Sequence, residues 1–172
     1  IPRTPVTSET SETPVAQATD LISLLHAEIG MEETELKKLR DQAAATGTTF
    51  DRVLLTRGIE EYSMLKAFGA DMEMEAWETL EGTQVPRGFV DIVPLAFARA
   101  HDLIAVGVNG RRLVVATAHP LDLHPQDDLA AMMPEGVDFV LAPRNEITEL
   151  LNRAFRHKAD GVGEALEDLE GA

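Results

Sequence analysis

Cysteine is absent from the chain, and with it any disulfide framework and any thiolate metal or redox site. That fits a reducing compartment, so the cytoplasm is the expected location. Positive charge is scarce: fifteen Lys and Arg stand against thirty Asp and Glu, a formal net charge of -15. Such a field repels a phosphate backbone, so no nucleic-acid partner is expected. No apolar run approaches the roughly 18 residues that span a bilayer, so direct membrane insertion is not expected either. Phosphate-binding loops of the GxxxxGK[ST] and GxGxxG kinds are missing, and neither Ser23 nor Ser63 sits in a nucleophile elbow. No catalytic residue, and hence no enzyme, is expected on this chain. The opening IPRTPVTSETSETPVAQ has neither the basic nor the apolar region of a signal peptide and starts on Ile1, which points to a piece of a longer protein.

What is present suffices for a globular core: 172 residues, of which 44% are hydrophobic. Residues 1–17 carry three prolines and many Ser, Thr and Glu, the composition of a disordered linker. Residues 158–172 read as an acidic flexible tail. Between them the hydrophobic period changes. From 18 to 82 it is helical, with Leu21, Leu24 and Leu25, then Leu36 and Leu39, then Phe50, Val53 and Leu54. Gly30, Gly47 and Gly58 stand where left-handed residues close helices, and Glu33 and Lys37 are spaced as an i,i+4 pair.

From 89 to 157 the pattern is that of a small sheet. PLAFARAH reads as a helix with Pro94 at its first position. Leu103 to Val108 and Leu113 to Ala118 flank Asn109-Gly110, the signature of a type I′ hairpin. LHPQDDLAAMM reads as a helix with Asp127 and Asp128 in its first turn, VDFVLA as a strand and RNEITELLNRAFRH as the closing helix. The expected fold is therefore α+β: an N-terminal helical subdomain, then a β-β-α-β-α mixed sheet with helices packed on it and the last strand parallel to the second. A connection around TQVPRG, between Gly82 and Gly88, joins the two.

Two constellations invite chemistry. HPLDLHPQDD, residues 119–128, holds two histidines and three carboxylates in ten positions, yet prolines and acids also suit a strand-to-helix connection, so no metal is expected. Met64, Met72, Met74, Met132 and Met133, with Phe68 and Trp77, fit core filler at helical spacing better than an adaptable partner surface.

In the C-terminal half, Val93-Pro94, Ala98-Arg99-Ala100-His101, Leu113 to Ala118, Pro120, Asp122, Asp128-Leu129, Ala142 and Ile147 to Phe155 follow one another in a recognisable order. With these residues the half resembles the N-terminal domain of type II secretion and type IV pilus assembly ATPases. The resemblance runs from about Thr34 to His157. Upstream, Leu54, Leu55, Gly58, Ile59 and Leu65 fit the family's helical segment. The resemblance implies a domain without hydrolytic activity that docks a cytoplasmic segment of an inner-membrane platform protein, or a motor ATPase, through those five residues. Attachment to the inner membrane would then run through the partner.

A related branch binds cyclic di-GMP through the same segment when it opens Arg-Leu-Gly. Here those positions read Thr49-Phe50-Asp51, and His119 stands where the family prefers Asp before the proline. Losing the guanidinium removes a bidentate phosphate partner, and Asp51 adds a like charge beside any phosphate. No cofactor is expected. The alternative is a cyclic di-GMP sensor with a rebuilt motif, in which Arg52 and Arg57 share a groove with Leu54 and Leu55.

Overall fold

The computed structural model describes residues 20–156; the linker and tail expected at 1–17 and 158–172 lie outside the described residues. Four helices come first: α1 (Leu21–Ile29), α2 (Glu33–Thr46), α3 (Phe50–Thr56) and α4 (Glu61–Met72). Their ends follow from backbone chemistry. Gly30, Gly47 and Gly58 adopt φ of 73°, 70° and 75°, left-handed values that cost glycine least, so three short helices stop cleanly and turn. Ile22, Leu25, Leu36, Leu39, Val53, Leu54, Met64, Leu65 and Phe68 close the core of this helical layer, with Phe50 meeting Phe68 edge-on at 6.1 Å. Glu33, spaced to pair with Lys37, instead accepts a hydrogen bond from Ser23 Oγ at 3.1 Å and ties α2 to α1.

The helical run ends at Met72, earlier than the hydrophobic period suggests. Gly69 is the reason the chain can reverse so tightly: a Cβ there would lie 2.4 Å from the Met74 carbonyl oxygen. The segment then runs along the sheet, where Ala76 bridges Leu141, Trp77 N–H donates to the Leu141 carbonyl at 2.7 Å and Leu141 N–H donates to Glu75 at 2.8 Å.

Two short helices, α5 (Arg87–Ile92) and α6 (Leu95–His101), lead into strands β1 (Leu103–Asn109) and β2 (Arg112–Thr117). Helix α7 (Leu123–Met132), strand β3 (Val137–Leu141) and a helix over 144–156, α8, complete the order. The sheet order is β1-β2-β3, with β1 antiparallel and β3 parallel to β2, the mixed α+β arrangement expected. Phe89, Ile104, Val115, Ala116, Leu129, Ile147 and Leu151 fill the core between sheet and helices. The buried core of the helical layer reaches the sheet at Leu141, helped by half-buried Ala76 and Leu121.

Three local expectations give way. Pro94 is the cap preceding α6, not its first residue. The hairpin loop is Gly110-Arg111: Gly110 alone has positive φ, at 64°, while Asn109 still pairs with Arg112, which is the pattern of a type II′ turn. Helix α7 starts at Leu123, so Asp127 and Asp128 lie exposed in its middle and Asp122 stands at its N-cap position without a side-chain capping hydrogen bond. Pro125 is the cause, since proline fits the first turn, where its missing N–H has no partner to lose.

Candidate functional site

The charged groups that matter meet where the helical layer touches the end of the sheet. Helix α3 sends Asp51 and Arg52 across this seam. The chain leaving β2 turns at Ala118, His119 and Pro120 and presents His119 and Asp122. The junction between α6 and β1 supplies Asp102, and the start of α8 supplies Arg144.

Asp102 is held in the left-handed region, φ 49°, a conformation that aspartate tolerates better than most side chains. Its carbonyl accepts from Ala118 N–H at 3.4 Å, which ties the turn leaving β2 to the start of β1. Its carboxylate then receives His119 Nε2 at 2.8 Å and Arg144 Nε at 3.3 Å. The His119 backbone is fixed as well: its N–H donates to Thr117 Oγ1 at 3.1 Å, and its carbonyl accepts from Gln126 Nε2 of α7 at 3.2 Å. The other ring nitrogen, Nδ1, faces Asp51 Oδ2 at 3.8 Å.

Asp51 is wholly buried, and neither of its oxygens has a hydrogen-bond donor; His119 Nδ1 likewise has no hydrogen-bond partner. At 3.8 Å the two make an ion pair rather than a hydrogen bond. The electrostatics follow. Asp102 first and Asp51 second hold the proton on His119, against the cost of burial, and push its pKa up from 6.5 to about 9. Burial pushes the Asp51 carboxyl up, but His119 and then Thr49 pull it down further, so it ends below its ordinary value. Beside this cluster Arg52 forms a fork with Asp122, Nη1 to Oδ1 at 2.8 Å and Nη2 to Oδ2 at 2.7 Å, and Nη1 also reaches Thr49 Oγ1 at 3.2 Å.

The residues singled out in the sequence scatter by role. Leu54 and Leu65 are fully buried in the helical core, where they support the surface and cannot line it. Leu55 and Ile59 are half-buried and flank exposed Arg57 and Gly58 at the α3–α4 corner. The fork of Arg52 is engaged by Asp122. Met64, Phe68 and Met133 are core, as expected. Of HPLDLHPQDD, His119 and Asp122 join the seam while His124, Asp127 and Asp128 are exposed. Among the described residues no group of three or more His, Asp or Glu is placed to hold a metal ion.

Sequence reasoning missed Asp51 and Asp102 as partners of His119. One signal existed: Asp51 and His119 are both departures from the family pattern, and they prove to be neighbours. Seventeen positions separate His119 from Asp102 and seventy separate Arg52 from Asp122, beyond the reach of any local period.

The fold is that of the N-terminal domains of secretion and pilus ATPases. Residues 72–161 match the MshEN domain model, more than half of the chain, and the chain belongs to that family. The type IV pilus assembly ATPase PilB of Myxococcus xanthus (strain DK1622) is 26% identical over 137 residues, 80% of this chain. The chain spans only 24% of that relative's length. A solved structure of MshE with cdg superposes with a TM-score of 0.64 at 25% identity, covering 78% of this chain and 98% of that one. The N-terminal domain of XpsE, at 18% identity and a TM-score of 0.59, covers 80% of this chain and 94% of that one and shares the fold.

Proposed function

We propose that the chain is a docking and regulatory module of a secretion or pilus machine. It receives a protein partner, a cytoplasmic segment of an inner-membrane platform protein or the motor ATPase itself. One observation carries this reading: the charges of the seam are spent on one another. Arg52 gives both arms of its fork to Asp122, so an incoming phosphate would have to displace a carboxylate already held in bidentate geometry. What the α3–α4 corner offers instead is half-buried apolar surface, Leu55 and Ile59, around the exposed backbone of Gly58. That chemistry suits a peptide better than a dinucleotide.

A longer protein that carried this domain would place its hydrolytic motor elsewhere. No helix among the described residues is long and apolar enough to cross a membrane, and the module would reach the inner membrane through its partner.

The test is a calorimetric titration of the chain with a peptide covering the platform protein's cytoplasmic segment, repeated with the purified motor domain. Saturable binding to one of them, lost in a Leu55→Asp, Ile59→Asp double variant that keeps its melting temperature, is the expected result. Binding unchanged by that variant places the surface elsewhere.

A second reading, a cyclic di-GMP sensor, is favoured by the likeness to MshE solved with cdg. It requires Arg52 to leave Asp122 and, with Arg57, to meet the nucleotide. Micromolar heat with cyclic di-GMP, abolished by an Arg52→Ala, Arg57→Ala double variant, would establish it over the docking reading.

A further inference from the structure

The helical layer and the sheet layer have separate buried cores, and the apolar continuity between them is narrow: Leu141, with half-buried Ala76 and Leu121. The polar contacts across the seam are correspondingly important, and they are unequal. Arg52 and Asp122 are partly exposed, with side-chain accessibilities of 43% and 17%, so water can replace either partner if the pair opens. Asp51 has no such recourse. Its carboxylate is fully buried with no donor on either oxygen, and the nearest positive charge is the ring of His119 at 3.8 Å.

The imidazole can answer two carboxylates only while both nitrogens carry protons. The Nε2 proton serves Asp102, which Arg144 also supports. The Nδ1 proton faces Asp51. A neutral ring that keeps Nε2–H for Asp102 turns a lone pair toward Asp51 and leaves a buried carboxylate opposite an acceptor, an arrangement that is strongly unfavourable. Separation of the layers relieves it by admitting water to Asp51.

We propose that His119, clasped between Asp51 of the helical layer and Asp102 of the sheet layer, is a proton-operated latch: the layers dock while the ring is an imidazolium and part when it is neutral. The charged groups around the ring do not all act alike, Asp102 and Asp51 favouring the imidazolium and outweighing Arg52, which opposes it. The groups facing the ring from every element packed on it are Asp51 and Arg52 on α3, Asp102 between α6 and β1, Asp122 before α7 and Arg144 at the start of α8, with neutral Thr117 and Gln126 holding the backbone. Glu61 of α4 is already engaged by the Arg144 backbone N–H. The inference does not rest on the docking reading.

The cysteine-free chain makes the test direct. Lys38→Cys on α2 and Arg153→Cys on α8, both exposed, accept a donor and acceptor dye pair that reports the distance between layers. Between pH 7 and 10 the distance is expected to lengthen with far-ultraviolet helix signal retained, with a midpoint matching the His119 ring titration followed by NMR, near 9. In Asp51→Asn the distance stays short throughout, because no buried carboxylate needs the second proton. His119→Gln is open already at pH 7, and Asp51→Asn combined with His119→Gln closes again. A distance that does not change in the parent chain overturns the latch. So does an opening in Asp51→Asn at the parent's midpoint, a double variant that stays open, or a lengthening that coincides with loss of helix.

Discussion

Asp102 answers two demands with one side chain: it closes α6 in the left-handed region and it receives both His119 and Arg144. Removing it leaves a buried imidazolium facing only the more distant Asp51. Asp102→Ala is therefore expected to cost about 3–5 kcal/mol, the range for breaking a buried ion pair from one side. Asp102→Asn keeps the backbone preference and one acceptor and is expected to cost less. Urea denaturation of the two variants checks both the size and the order. None of this was legible from residue types alone. The histidines of HPLDLHPQDD stand out in the sequence, but which one is buried depends on where α7 begins, and Pro125 sets that start two residues after Leu123. Asp51 is marked in the sequence only as a departure from Arg-Leu-Gly, and its complete burial follows from the fold closing over it.

Among the elements, the helices were readable because their signals are local. Glycine at the last turn and leucine at helical spacing are written within a few residues of where they act, and so are the two strands around Asn109-Gly110. The turn type was not, because whether Asn109 joins the ladder or the loop depends on its pairing with Arg112. The segment after α4 was also illegible, since its path is set by contact with β3. Gly69 is the hinge of that path: it lies in α4, and the Met74 N–H returns to its carbonyl at 2.8 Å. Gly69→Ala inserts a methyl against the Met74 carbonyl oxygen. The gain in helix propensity, about 1 kcal/mol, is outweighed by overpacking of about 1–3 kcal/mol, and the clash is with backbone that cannot swing aside. Net destabilisation in a thermal melt is expected, with loss of protection at the Trp77 and Leu141 amides in hydrogen exchange. An unchanged or raised melting temperature would contradict this account of the reversal.

For the molecule as a whole, the family resemblance was legible because the sheet half carries its motifs in order, from Val93-Pro94 to Phe155. The matched domain starts at 72, so most of the helical layer, where the departures Thr49, Phe50 and Asp51 lie, falls outside it. The same seam sets the pH dependence of global stability. The folded pKa of His119, about 9, is above its ordinary 6.5, so its contribution is complete below about pH 6.5 and fades as pH rises through 9. Asp51 runs the other way: its folded pKa is below the ordinary 3.8, so its contribution is present above that value and fades as pH falls through the folded pKa. Urea midpoints are expected to be highest between about pH 5 and 7, and to fall by an equivalent of about 2–3 kcal/mol by pH 9.5. His119→Gln should flatten the alkaline limb.

The docking claim meets its most direct test in calorimetry of the chain against the platform protein's cytoplasmic segment. The account predicts saturable heat that the Leu55→Asp, Ile59→Asp double variant abolishes. Silence with that segment and with the motor domain, together with micromolar cyclic di-GMP binding that requires Arg52 and Arg57, would contradict it.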